Sequence, residues 1–248
     1  RLDLFACERR RQTGDVTLFS PAREDRSGRP RMTEALVGRE SEMAFLLRAF
    51  QDTAVGRSRL ICLMGWSGIG KSRLAHELMP AVTTASAAWI SGKHEMLGRG
   101  RPYSGLAQGL SRWVRQVVND PAESSGLVRE KLQAALGDQA GLLAALVPEL
   151  EHLLGSLPRP PDLPAAETEL RMQVLLQRLF SALASPQAPL VLFLDDLQWA
   201  DSATLQMLAP ILTDSSCRHV LVVGAWRDNE VGPDHPLTCL LYTSPSPR

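Results

Sequence analysis

The chain has 248 residues, of which 44% are hydrophobic, so it contains enough apolar side chains for one or two domains. Its 27 basic and 27 acidic residues cancel to a formal net charge of zero, which gives no electrostatic reason to expect a nucleic acid or a membrane surface as a partner. The four cysteines are scattered without a CxxC pair, which argues against a zinc site or a disulfide framework and favours a reducing, cytoplasmic location.

The first predicted segment is a linker, because residues 1–35 are polar, with three consecutive arginines at 9–11 and a stretch rich in Arg, Asp, Ser, Gly and Pro up to Pro30. From Glu40 onwards, apolar residues recur at helical spacing, which predicts an amphipathic helix with Met43 and Leu46 on its inner face. A continuous apolar run at residues 60–64 then predicts a strand that is buried on both faces.

Strands and helices alternate along the rest of the chain. Short apolar runs that predict further buried strands lie at residues 87–90, 190–194 and 220–223. Helical patterns lie after Lys71, across residues 104–183 and after the candidate N-cap Asp201. Pro80 is expected to stop the first of these helices, and Pro210 is expected to kink the last one. The prolines of residues 158–164 predict a loop within the long helical stretch.

This alternation predicts a three-layer α/β fold with a parallel sheet, right-handed crossovers and a helical insertion at residues 104–183. The longest apolar run is far too short to span a bilayer, and no leader sequence is recognisable.

A glycine-rich loop follows the strand at residues 60–64. Its sequence, GWSGIGKS, matches the pattern G-x-x-x-x-G-K-[ST] at every fixed position. Glycines let backbone N–H groups wrap closely around a phosphate chain, and the N-terminus of the next helix adds its positive dipole end. Phosphate binding is therefore expected from Gly65, Trp66, Ser67, Gly68, Ile69, Gly70, Lys71 and Ser72. Lys71 can reach the β- and γ-phosphates, and the Ser72 hydroxyl can ligate Mg²⁺.

An acidic pair follows the strand at residues 190–194. A carboxylate at the carboxyl end of a parallel strand points into the ligand crevice, where a second Mg²⁺ contact is expected. Asp195 is therefore the candidate metal ligand, and Asp196 is the candidate for orienting or deprotonating the attacking water. The long stretch between the glycine-rich loop and this pair leaves room for another strand between their two strands in the sheet.

Further short motifs are spread along the chain: LVGRE at 36–40, SGKHE at 91–95, RPYS at 101–104, PELE at 148–151, LVLFLDDLQWADS at 190–202 and GAWRDNEV at 224–231. Together they resemble the AAA-like (STAND-type) P-loop ATPase domain of bacterial hybrid signalling proteins. In that family the 190–202 motif is the Walker B region and the glycine-rich loop is Walker A. The opening segment also resembles the linker that follows the serine/threonine kinase domain of those proteins.

The resemblance implies an AAA-like (ASCE-type) P-loop ATPase that uses ATP and Mg²⁺ and hydrolyses slowly as a regulatory switch. It places Arg39 against the base or ribose of the nucleotide and makes Arg227 the sensor of the γ-phosphate, with Lys71 and Asp196 completing the catalytic set. The implied partners are ATP, ADP and the kinase and sensory domains of the same parent chain. Self-association stays open, and neither direct nucleic-acid contact nor a membrane partner is expected.

The family pattern extends beyond this sequence. Its fifth strand and helical lid are missing, so we expect a truncated ATPase domain at residues 36–238, and the catalytic domains of the parent kinase are absent. The final segment, residues 239–248, resembles a translated sequencing adapter, and we interpret it as an artefactual tail. An ordinary Pro/Ser-rich tail is the alternative.

Three alternative functions stay open. The domain could be a nucleotide-binding scaffold without hydrolysis, or a small-molecule kinase, although neither an acceptor pocket nor an arginine-bearing lid is visible. It could also be the ATPase domain of a LuxR-type transcription regulator. The linker resemblance favours the hybrid kinase.

Overall fold

The computed structural model describes residues 2–7, 17–19, 38–96, 101–120, 122–214 and 216–238, the first two segments and residues 122–124 by their backbone alone. The tail predicted at residues 239–248 lies outside the described residues, as does most of the predicted linker.

One sheet forms the centre of the described structure. Its strands are β1 (Leu2–Cys7), β2 (Thr17–Phe19), β3 (Arg59–Gly65), β4 (Ala88–Lys93), β5 (Leu190–Asp195) and β6 (Val220–Trp226). They are ordered β2-β1-β3-β6-β5-β4, and the last four of them run parallel. The four strands predicted from apolar runs are therefore all present, and the predicted parallel arrangement is confirmed.

β6 lies between the strand of the glycine-rich loop and the strand of the acidic pair. Met64 of β3 is in register with Trp226 of β6, and Leu194 of β5 is in register with Gly224 of β6. The strand expected between them is therefore β6, which corresponds to the apolar run at residues 220–223.

β1 and β2 lie in the segment for which the sequence predicts a linker. β1 runs antiparallel along the outer edge of β3, with Leu2 opposite Gly65 and Cys7 opposite Leu60. Five of the six residues of β1 are apolar, a run that the linker prediction did not account for. The pairing itself uses backbone N–H and C=O groups along the edge of β3. The division into linker, ATPase domain and tail stays a prediction.

Helices cover both faces of the sheet. They are α1 (Glu40–Ala54), α2 (Lys71–His76), α3 (Met79–Thr84), α4 (Ser104–Asn119), α5 (Ala122–Leu136), α6 (Ala140–Leu146), α7 (Leu150–Leu154), α8 (Ala165–Leu183) and α9 (Ser202–Thr213). The helical stretch predicted at residues 104–183 is present as α4 to α8, and the proline segment at 158–164 is a loop. No helix among the described residues is both long and apolar enough to cross a membrane.

Two buried clusters sit on opposite faces of the sheet, because successive strand side chains point in opposite directions. On one face, Ile61 and Leu63 of β3 pack with residues of α1, α2 and α3. On the other face, Leu60 and Leu192 pack with residues of α4 to α9. Helix, sheet and helix therefore form the three layers that the sequence predicts.

Of the two prolines with an expected role, Pro80 behaves differently from expectation, and the expected kink at Pro210 stays a prediction. The helix that begins at Lys71 ends at His76, before Pro80 is reached, so the expected stop by Pro80 is wrong. Pro80 instead lies in the first turn of α3, where a residue without an N–H group loses no helical hydrogen bond. Pro210 lies inside α9, and the helix continues through it to Thr213.

Candidate functional site

The carboxyl ends of the four parallel strands meet at one edge of the sheet. The glycine-rich loop (residues 65–72) leaves β3, Arg227 follows β6, the acidic pair ends β5, and Lys93 ends β4. Lys93 and Asp195 are in register on neighbouring strands. This edge is where ligands bind in open parallel sheets.

The glycine-rich loop depends on backbone conformations that favour glycine. Gly65, Gly68 and Gly70 have φ values of 147°, 77° and 93°. A Cβ at Gly68 or Gly70 would meet no heavy atom within 4 Å, so these glycines are needed for their backbone angles and not to avoid a clash. Gly70 is the left-handed residue that precedes α2.

Lys71 is folded back over the loop that carries it. Its Nζ donates to the carbonyl oxygens of Gly65 and Trp66, both at 2.8 Å, and only 7% of the residue is exposed. Burial lowers the pKa of Lys71, and attraction to Asp195 and Asp196 offsets part of that decrease. The ammonium therefore lies within the field of both acids.

Ser72 and Asp195 form the direct contact between the loop and the acidic strand end. The Ser72 hydroxyl donates to Oδ2 of Asp195 at 2.7 Å, across the end of the intervening β6. His94 holds Asp195 from the other side, because its backbone N–H and its Nδ1 both lie near the Asp195 carbonyl oxygen, at 3.0 and 3.1 Å. Burial lowers the pKa of His94, which favours the neutral ring.

Asp196 has an unusual backbone and a crowded carboxylate. Its φ of 54° lies in the left-handed region, where a residue other than glycine costs about 1 to 3 kcal/mol. Oδ1 accepts a hydrogen bond from Nε2 of Gln198 at 3.1 Å and lies 3.7 Å from Nε of Arg227. Oδ2 lies 3.7 Å from Nζ of Lys93. Two cations and one amide therefore surround this carboxylate.

Arg227 joins this cluster from the end of β6. Its Nη1 donates to Glu230 at 2.8 Å, and its guanidinium carbon lies 5.0 Å from the centre of the Trp199 ring, a cation–π distance. Its backbone N–H donates to Oε1 of Gln198 at 3.2 Å. The side chain thus contacts an acid on each side and an aromatic face.

The structure brings together most of the residues predicted for the site, and it gives Arg39 a different neighbour. Nη1 of Arg39 donates to Glu42 of its own helix at 3.0 Å. Trp66 is 64% exposed at the tip of the loop. The expected position of Arg39 beside the base or ribose stays a prediction.

Lys93 and Gln198 belong to the cluster, although no role was expected for them from the sequence. Lys93 could have been predicted from the sequence, because it follows a predicted strand just as Asp195 does, and the carboxyl ends of parallel strands meet at the same edge. Gln198 gave no comparable signal, since its position depends on the short 3₁₀ turn Leu197–Trp199.

Comparison with known proteins assigns this arrangement to a family. A family model described as an AAA ATPase domain matches residues 35–223, which include the glycine-rich loop and the acidic pair. The chain belongs to the AAA ATPase domain family. Membership implies nucleotide binding, usually with Mg²⁺, and it agrees with the α/β fold and the parallel sheet.

Two curated proteins match this chain at low sequence identity. Hybrid signal transduction histidine kinase G of Dictyostelium discoideum is 25% identical over 193 residues, which make up 78% of this chain and 6% of that protein. Histidine protein kinase 1 of Candida albicans is 24% identical over an alignment of 202 residues, and the match covers 75% of this chain and 8% of that protein. The chain therefore spans a small fraction of the length of either relative.

Proposed function

We propose that this AAA ATPase domain binds ATP with Mg²⁺, hydrolyses it slowly, and serves as a regulatory switch in a multidomain signalling protein. The observation that carries the proposal is the 2.7 Å contact between the Ser72 hydroxyl and the Asp195 carboxylate. It joins the end of the glycine-rich loop to the acidic strand end, so groups suited to phosphate and to a divalent cation lie side by side.

The loop residues fit a phosphate chain. The left-handed glycines at 65, 68 and 70 turn the backbone so that its N–H groups can converge on an anion. Lys71 supplies a cation within the same loop, and its ammonium can exchange two carbonyl oxygens for phosphate oxygens.

Ser72 and Asp195 fit Mg²⁺ that is shared with a phosphate. Mg²⁺ prefers oxygen ligands, and in nucleotide sites it takes one or two from the protein and the rest from phosphates and water. Among the described residues, no group of three or more His, Cys, Asp or Glu side chains could hold a metal ion by themselves. When bound, Mg²⁺ would neutralise charge on the phosphates.

The remaining residues would act on the water and on the terminal phosphate. Asp196 would orient the water and accept its proton while the new P–O bond forms and the bond to the β-phosphate oxygen breaks. Arg227 would stabilise charge on the transferred group, since a nearby arginine commonly has that role in phosphoryl transfer. The products are ADP and inorganic phosphate.

The switch role rests on the relatives and on the position of Arg227. Both curated relatives are named as histidine kinases, and the matched segment is a small part of each. Arg227 contacts Asp196, Glu230 and Trp199. As the proposed sensor of the γ-phosphate, it would change these contacts between ATP and ADP. A ligand shifts a conformational equilibrium only through such differential contacts.

The proposal can be tested by nucleotide binding and phosphate release in the same samples of the purified 248-residue chain. We expect wild-type protein to bind ATP with Mg²⁺ and to release phosphate slowly. Lys71→Ala should abolish binding, because it removes the cation of the loop. Asp196→Asn should bind ATP and lose hydrolysis by about 100-fold or more, the usual effect of removing a positioned acid or base.

Matched controls separate these effects from a general loss of charge. Lys131→Ala and Asp138→Asn change exposed residues away from the sheet edge and should leave both signals unchanged. A folded wild-type chain that binds no ATP would contradict the proposal. Binding without phosphate release would instead identify a non-hydrolysing nucleotide-binding scaffold.

A further inference from the structure

Gln198 is a buried polar residue between the ends of β5 and β6. It lies in the 3₁₀ turn Leu197–Trp199, directly after the acidic pair, and only 1% of its surface is exposed. An amide at such a place destabilises the fold unless it is hydrogen-bonded, so its partners indicate why glutamine is found there.

The side-chain amide of Gln198 bridges the two residues proposed to act on water and phosphate. Its Nε2 donates to Oδ1 of Asp196 at 3.1 Å, and its Oε1 accepts from the backbone N–H of Arg227 at 3.2 Å. A carboxylate can only accept and a backbone N–H can only donate. The amide is therefore oriented with its NH₂ group towards Asp196 and its oxygen towards Arg227. The backbone oxygen of Gln198 lies 3.1 Å from Nε2 of His235, which anchors the turn.

Gln198 holds Asp196 more closely than the two cations do. Lys93 and Arg227 lie 3.7 Å from the Asp196 carboxylate, and their side chains are 57% and 28% exposed, so water and salt weaken both attractions. The hydrogen bond from Gln198 is shorter and buried. The backbone of Asp196 is in the left-handed region, a strained conformation that persists only where surrounding contacts hold it.

We propose that Gln198 is a positioning residue that couples Arg227 at the end of β6 to the carboxylate of Asp196. The inference rests on the proposed ATPase function. A shift of the Arg227 backbone changes the hydrogen bond to Oε1, and the same rigid amide transmits that change to Asp196. The residue that senses the nucleotide and the residue that orients water therefore move together, so hydrolysis depends on the position of Arg227.

The test uses Gln198→Met, which keeps the length of the side chain and removes both hydrogen bonds. We expect the Kd for ATP with Mg²⁺ to stay within about twofold of wild type, because the glycine-rich loop is unchanged. The kcat should fall by about tenfold or more, the usual effect of losing a hydrogen bond to a charged group. A residue that only fills space would give a wild-type kcat, because methionine fills nearly the same volume.

Trp199 provides a second measurement that does not depend on turnover. The guanidinium of Arg227 lies over its ring, so movement of Arg227 changes the Trp199 fluorescence. The chain has five tryptophans, and subtracting the signal of a Trp199→Phe protein isolates this one. We expect addition of ATP with Mg²⁺ to change the Trp199 signal in wild type, and Gln198→Met to reduce that change at saturating nucleotide.

The control is Gln206→Met, the same substitution at an exposed position of α9, which should match wild type in every measurement. If Gln198→Met does not fold, Gln198→Leu replaces it, since leucine also lacks both the amide N–H and the side-chain oxygen and adds no charge beside Asp196. A wild-type kcat and a wild-type Trp199 response in either folded variant would overturn the inference. Failure of wild-type protein to hydrolyse ATP would contradict the proposed ATPase function instead, and the Trp199 response would still test the coupling.

Discussion

Glu42 is a buried acid at the start of α1, with only 3% of its surface exposed. Burial by itself would raise its pKa, but hydrogen bonds from the Ser41 hydroxyl at 2.8 Å and from Arg39 at 3.0 Å outweigh it. The net effect is a pKa below the ordinary value of 4.5. The folded protein therefore holds this carboxylate in its ionised form more strongly than the unfolded chain does.

This lowered pKa gives an expected dependence of stability on pH. The unfolded chain binds the proton of Glu42 more readily, so the stabilising contribution is complete at neutral pH and is lost as the pH falls below 4.5 through the folded pKa. Glu42→Gln should lower the free energy of unfolding near pH 7 by about 1 to 3 kcal/mol. It should also flatten the decrease in stability at acidic pH. Urea unfolding across pH measures both effects.

The exposed Glu130 of α5 provides the control for this measurement. Glu130→Gln should change neither the stability near pH 7 nor its acid dependence by more than a few tenths of a kcal/mol, as is usual for surface sites. If the two variants have the same pH profile, the hydrogen bonds of Glu42 do not stabilise the fold.

Helix α4 packs directly on the backbone of β4 through two glycines. A Cβ at Gly109 would lie 2.7 Å from the carbonyl oxygen of Ser91, and a Cβ at Gly105 would lie 2.9 Å from that of Lys93. Both distances are shorter than real Cβ atoms allow, so α4 approaches β4 only because these side chains are absent. The contact supports the strand that ends at Lys93.

Replacing Gly109 should therefore destabilise the domain although alanine is the better helix former. We expect Gly109→Ala to lower the free energy of unfolding by about 1 to 3 kcal/mol, since α4 must move away from β4. Gly126→Ala on α5 is the matched control, because a Cβ there would meet no atom within 4 Å. That change should stabilise the protein by up to about 1 kcal/mol. Equal effects of the two substitutions in urea unfolding would contradict the close packing of α4.

Much of this architecture could be predicted from the sequence, because burial leaves a direct pattern in it. The runs at residues 60–64 and 190–194 could be recognised as strands buried on both faces, and Ser72 and Asp195 could be located relative to their ends. Pro80 could not be interpreted correctly, since a proline stops one helix or begins another depending on where the previous turn ends. Gln198 could not be assigned either, because its two partners, Asp196 and Arg227, follow the ends of two different strands.

At the scale of the whole molecule, helices pack on both faces of the sheet, and the candidate site lies at the carboxyl edge of its parallel strands. Residues at the ends of β3, β4, β5 and β6 all lie at this edge, so a ligand bound there would join groups from more than one strand. Ligands that bind only the folded state stabilise it by an amount that grows with their concentration.

ATP with Mg²⁺ should therefore raise the thermal midpoint of the chain. At 100 times its Kd a ligand contributes about 2.7 kcal/mol, which corresponds to a rise of about 5 to 10 °C for a domain of this size. Removing Mg²⁺ with EDTA should reduce the rise, and Ser72→Ala should remove the part that depends on Mg²⁺. A Ser72→Ala protein that keeps the full effect of Mg²⁺ in differential scanning calorimetry would contradict the assignment of the metal site.

The position of the Lys71 ammonium has a consequence for selectivity. Two carbonyl oxygens of its own loop, at Gly65 and Trp66, already accept hydrogen bonds from two of its three N–H donors. An incoming molecule must compete with these internal acceptors, so binding is an exchange of partners and not a simple addition. Neutral sugars or bases would give the ammonium hydrogen bonds no stronger than those to the loop carbonyls, whereas a polyanion would give stronger, charge-assisted ones. The loop should therefore bind anionic ligands in preference to uncharged ones, because Lys71 gives up its carbonyl acceptors only for stronger ones.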